Sequence, residues 1–154
     1  DRTRELHRLG LMGFNLLLFG EGNDFNRLSK ITRVETQGNV ASRLASADVG
    51  VMHLPKRDVW RHASPLKVAE FAAAGLPVVA SEVSGLESYR NAEWLTLIPL
   101  GDDKACKSAV FSLCNLSRKE RQRLGALARR DAESRMTWEQ CTASLNEMLL
   151  EVKR

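Results

Sequence analysis

Two side chains and the backbone just before them are the groups best placed to do chemistry. Lys67 and Glu70 stand near the start of the stretch Ala63-Ser64-Pro65-Leu66-Lys67-Val68-Ala69-Glu70-Phe71-Ala72-Ala73-Ala74-Gly75-Leu76-Pro77-Val78-Val79-Ala80-Ser81. It reads as a loop, a short helix, a stop and a buried strand. Ser64 is expected to N-cap, its hydroxyl accepting from an amide one turn on. Pro65 suits the first helical position, where a missing N–H costs nothing. A helix start leaves amides free and points a positive dipole end outward, worth about 0.3–1 kcal/mol per anionic charge when exposed. Lys67 adds a full positive charge in that turn. Glu70 lies about a turn and a half in, within reach of hydroxyls on whatever carries a phosphate there. The same residues also fit a plain surface cap, a lysine lying along the surface and a solvated glutamate, and local pattern leaves both readings open.

The elements that must position these groups are legible nearby. Val68, Phe71 and Ala72 form an apolar stripe at helical spacing. Gly75 suits the left-handed position after a helix, and Pro77 prevents continuation. Val78-Val79-Ala80 is fully apolar, as in a strand covered on both faces. Further strands are expected near 14–19, 33–36, 49–54 and 95–99, five in all. Between them fall helical patterns over 1–12, 24–31, 40–47 and 86–91. The alternation predicts an α/β fold with a parallel sheet and helices on both faces, three layers in all. Lys56 to His62 form a polar loop at a strand's carboxyl end, where open α/β sheets place ligands.

Toward the end, Gly101-Asp102 opens a helix with Val110, Leu113 and Cys114 inward. Ser117-Arg118-Lys119-Glu120 and Thr137-Trp138-Glu139-Gln140 are capping boxes for two more helices. The last is expected to turn Leu145, Met148, Leu149 and Val152 inward. Arg121, Arg123, Arg129, Arg130 and Arg135 crowd the helix before it, interleaved with Glu120, Asp131 and Glu133 and without aromatic stacking partners. That favours a solvated face over nucleic-acid binding.

The 154 residues allow one domain with a real core, and the formal charge of +4 is a mild basic excess. It is compatible with phosphorylated ligands or an anionic membrane surface. Cys106, Cys114 and Cys141 are odd in number and lack CxxC spacing, so neither a disulfide framework nor a zinc site is expected, and a reducing cytosol fits. The sequence shows no apolar run of membrane-spanning length.

Lys67 to Ser81 resembles the signature of the C-terminal, nucleotide-sugar-binding domain of retaining GT-B glycosyltransferases, the group 1 family, and weaker similarity extends over nearly the whole chain. The resemblance implies one half of a GT-B fold over residues 1–154, closed by a helix at 137–152 and lacking a central first strand that would lie upstream of Asp1. It implies a nucleotide-diphosphate sugar as donor substrate, with no metal or other cofactor. The diphosphate would sit at Ser64, Leu66 and Lys67, and the ribose on Glu70. The nucleobase would lie against a loop where Gly38 and Asn39 are the candidates. The transferred sugar would pass to a saccharide or lipid-linked acceptor held by a missing N-terminal domain, as in cytoplasmic polysaccharide biosynthesis at the inner face of a membrane. The isolated chain would then be inactive. The family's usual glutamate eight positions before Glu70 falls on His62, which could instead bond a sugar hydroxyl or phosphate. The break leaves a second reading, a non-catalytic GT-B module kept for assembly or carbohydrate contact. No catalytic residue is assigned.

Overall fold

The structure is a computed structural model describing residues 16–19, 26, 29–30, 33–35 and 40–152. Five short strands appear where expected: β1 (Leu17–Phe19), β2 (Arg33–Glu35), β3 (Gly50–Met52), β4 (Val78–Ser81) and β5 (Leu95–Ile98). The helices are α1 (Val40–Leu44), α2 (Leu66–Ala73), α3 (Asp103–Asn115), α4 (Arg118–Arg135) and α5 (Trp138–Val152), with 3₁₀ turns at Asp58–His62 and Ser84–Tyr89. β1 pairs with β2, and β3, β4 and β5 form a second sheet in that order; every pairing is parallel. Parallel neighbours need a crossover, and α2 supplies it between β3 and β4. All four residues of β4 are fully buried. Successive strand side chains point to opposite faces, so both faces of β4 are covered. α2 packs on β3 and β4, and α3 on β4 and β5. The result is the Rossmann-like α/β arrangement. The expected helix over 1–12 lies outside the described residues, as does most of 24–31.

The core gathers Val68 and Ala72 of α2, the apolar residues of β4, Leu95 and Ile98 of β5, Cys106 and Val110 of α3 and Ala128 and Ala132 of α4. Trp94 is 2% exposed, and its indole Nε1 donates to Asp131 Oδ2 at 2.7 Å, which satisfies the ring's one polar atom. Burial, with smaller contributions from Asp103 and Asp102, pushes the Cys106 thiol up to about 11. All three cysteines are free.

α2 stops as the sequence requires. Gly75 has φ +74°, its amide donates to Ala72 O, and the Leu76 amide reaches back to Phe71 O. This is the paired bonding of a Schellman stop. A Cβ on Gly75 would meet nothing nearer than Gly125 O at 3.7 Å, so the constraint there is the backbone angle rather than space. Gly75→Val is expected to cost about 2 kcal/mol, and Gly75→Asn distinctly less because asparagine tolerates the left-handed region. Thermal melts of the two variants check this; equal stability of Gly75→Val and the parent would contradict it.

Several local expectations are corrected. The N-cap of α2 is Pro65, not Ser64, and no side chain caps it. Ser64 is drawn instead against Gly85, where an added Cβ would lie 2.7 Å from Ser64 Cα. The short helix expected over 86–91 is the 3₁₀ turn Ser84–Tyr89. In α5, Met148 and Leu149 are exposed rather than inward, as are Trp138 and Leu150. Of the α4 arginines, Arg123, Arg129, Arg130 and Arg135 are exposed as expected and Arg121 is not, and three also bond backbone carbonyls of the rest of the domain. Arg121 is mostly buried against the carbonyls of Cys114 and Leu116, Arg129 bonds Ala73 O, and Arg135 bonds Ser88 O with its guanidinium 4.4 Å from the Tyr89 ring centroid. They fasten α4 to the body of the domain. Ser117 and Thr137 cap α4 and α5 as expected, accepting from the amides of Glu120 and Gln140.

Candidate functional site

The loops at the carboxyl ends of β3, β4 and β5 are tied to one another. Leu54 N–H donates to the buried Ser81 hydroxyl at 2.9 Å, and Gly101 N–H donates to Leu54 O at 3.0 Å. Gly85 N–H donates to Ala63 O at 3.2 Å, a close approach that leaves no room for a Cβ. These bonds hold the segment Ala63–Pro65, and with it the amino end of α2, against the loop after β4.

At that end Pro65 is extended (φ −83°, ψ 105°), and its carbonyl accepts from the Val68 amide at 3.2 Å. The amides of Leu66 and Lys67 have no acceptor among the described residues. Ser64, Leu66 and Lys67 are exposed. Two free amides and the positive dipole end therefore face outward, with no group of the described residues competing for them. Lys67 Nζ bonds Glu70 Oε2 at 2.9 Å, and both side chains are about half exposed or more. An exposed pair at this spacing stabilises by only about 0.2–0.5 kcal/mol, so an incoming ligand can exchange it at small cost. His62 closes the 3₁₀ turn before α2, exposed and without a hydrogen bond among the described residues. Gly38 and Asn39 lie outside the described residues.

Sequence reasoning missed two features here. A cavity of about 480 Å³ opens between loops at the carboxyl ends of the strands, lined by Lys56 and Arg61 from the loop after β3 and by Glu82, Ser84, Glu87 and Arg90 from the loop after β4. Val83, Pro99 and Leu100 add apolar surface. Ser64, Lys67 and Glu70 do not line it. In sequence only the polar loop 56–62 was placed where ligands bind; the rest of the lining is tertiary. The second feature is His53, which the sequence reading left inside a strand. Its side chain is 7% exposed, Nε2 lies 2.9 Å from Asp103 Oδ1, and Nδ1 is buried without a partner among the described residues.

Among the described residues no group of three His, Cys, Asp or Glu side chains is placed to hold a metal ion, and no helix is long and apolar enough to cross a membrane. A family model described as "Glycosyl transferases group 1" matches residues 4–115, from the first segment through α3. No curated protein matches the chain.

Proposed function

Because the chain belongs to the group 1 glycosyl transferases, we propose that the amino end of α2 is the donor site for a nucleotide-diphosphate sugar. The single observation that carries this is the exposed α2 start, with two amides unpartnered among the described residues and no side-chain cap. The diphosphate takes the amides of Leu66 and Lys67, beside the Ser64 hydroxyl. Lys67 leaves Glu70 to pair with the phosphate, which frees the Glu70 carboxylate for two ribose hydroxyls. His62 reaches a hydroxyl of the transferred sugar or a phosphate oxygen. The loop at Gly38 and Asn39 packs on the base. Charge builds on the departing diphosphate as the glycosidic bond breaks, and groups already aimed at it stabilise it without reorganising. The sugar passes with retained anomeric configuration to a saccharide or lipid-linked acceptor.

In this reading residues 1–154 form the donor half of a two-domain enzyme. Two features support that. The described strands fall into separate parallel sheets, β1–β2 and β3–β4–β5, and among the described residues no strand pairs with the second edge of β3, which leaves room for a further strand. α5 presents exposed Trp138, Met148, Leu149 and Leu150, apolar surface suited to contact with the other domain. The free cysteines fit a reducing compartment.

One observation favours a second reading, a non-catalytic module. A histidine stands where the family's usual first glutamate falls, and Lys67 and Glu70 satisfy each other. Calorimetric titration of the two-domain parent with UDP and GDP separates the two. The donor reading predicts saturable binding of one nucleotide, weakened at least about tenfold in Glu70→Ala by loss of a charged hydrogen-bond acceptor. Absence of binding to either nucleotide favours the non-catalytic module.

A further inference from the structure

We propose that the cavity between the loops after β3 and β4 is a second ligand site, for an anionic sugar. The cavity is built rather than incidental. Gly101, at φ +71°, packs so close under Lys56 that an added Cβ would lie 2.7 Å from Lys56 Cβ, which fixes the lysine's stem. The Gly85–Ala63 bond holds the opposite loop. At about 480 Å³ it falls within the roughly 300–1,000 Å³ of small-molecule sites.

Cations and carboxylates both line it. Lys56 has no acidic partner among the described residues. Arg61 meets Asp58 through Nε at 3.0 Å, and its terminal nitrogens have no partner among the described residues. These two cations suit an anionic group. From the loop after β4, Arg90 gathers two carboxylates: Nε and Nη2 bond Glu87 at 2.9 Å, and Nη2 also bonds Glu82 Oε1. Glu82 Oε2 has no partner among the described residues. Hydrogen bonding to Arg90 holds the Glu87 carboxyl below the ordinary carboxylate range, so it stays an acceptor. Fixed carboxylate acceptors beside a serine hydroxyl are suited to sugar hydroxyls. A bare anion would satisfy the cations and meet Glu82 and Glu87 with repulsion. A neutral sugar would leave Lys56 unpaired. A ligand carrying both an anionic group and adjacent hydroxyls, a uronate or a sugar phosphate, answers the whole lining. This deepens the glycosyltransferase reading, and it rests on that reading for one point: the ligand is an acidic residue of the acceptor saccharide.

The test is a titration of this chain with D-glucuronate, D-glucose 6-phosphate, D-glucose and inorganic phosphate, read by amide shifts and calorimetry. One of the charged sugars is expected to bind at Lys56, Arg61, Ser84 and Glu87 about tenfold or more tighter than glucose or phosphate, since a charged hydrogen bond is worth that factor. Lys56→Met and the milder Lys56→Gln should each lose that preference, and Glu70→Ala should keep it. No binding by either charged sugar, equal binding by phosphate, or indifference to both Lys56 variants overturns the proposal. Charged-sugar binding in a parent that binds no nucleotide overturns the acceptor assignment alone. Nucleotide binding without charged-sugar binding overturns the cavity and leaves the donor site standing.

Discussion

Gly125→Ala is expected to destabilise the domain by about 3 kcal/mol, at or beyond the upper end of ordinary overpacking, and to lower Tm by roughly 10 °C. In an exposed helix interior the same change stabilises by about 1 kcal/mol, because alanine is the better helix former. Here the sign reverses. Gly125 lies within α4, and a Cβ built on it would stand 2.0 Å from Gly75 O and 2.9 Å from Gly75 C. Both are backbone atoms of the turn that ends α2, so neither can swing aside as a side chain would. α2 and α4 pack on each other, and this contact sets how closely. The consequence reaches the site, because the turn at Gly75 anchors one end of the helix whose other end carries the free amides. Urea and thermal melts of Gly125→Ala decide the matter. A variant as stable as the parent, or more so, would mean that the two backbones do not meet as described.

What the sequence could reveal about this fold depended on range. β4 was readable because burial on both faces leaves a run without polar interruptions, and Val78-Val79-Ala80 has none. The stop at Gly75 was readable because left-handed backbone next to a proline is a local demand. The cap of α2 was misread because Pro65 takes the cap position, while Ser64 packs against Gly85, a neighbour in space and not in sequence. The helical pattern of α5 was right, but periodicity marks an apolar face without saying what covers it, and Met148 and Leu149 remain exposed. For the candidate site, residue types near the α2 start were legible, and their pairing was not. Lys67 and Glu70 face each other across an i, i+3 step. Of the cavity only the loop 56–62 was legible as a place for ligands, since the rest of its lining comes from loops after two further strands.

Reversing Lys67 to glutamate is expected to weaken nucleoside-diphosphate binding by about 100-fold, the equivalent of roughly 2.7 kcal/mol. Lys67 brings both an amide and an ammonium to the α2 start, and the amide survives the change. The reversal replaces attraction by repulsion at the same point and sets a second carboxylate three positions from Glu70. Folding should hardly notice. A glutamate in the first turn gains about 0.3–1 kcal/mol from the helix dipole, and a like-charged neighbour at i+3 loses a few tenths. Melting should therefore be nearly unchanged while nucleotide affinity collapses. A matching loss of both would reduce Lys67 to a structural residue.

The central claim is that the uncapped amino end of α2 receives the diphosphate. Following the backbone amide resonances of Leu66 and Lys67 while UDP or GDP is titrated into the two-domain parent tests it most directly. The donor reading predicts that these two amides shift first and furthest, saturating with the nucleotide's own affinity. A nucleotide that binds saturably and leaves both amides unmoved would contradict it.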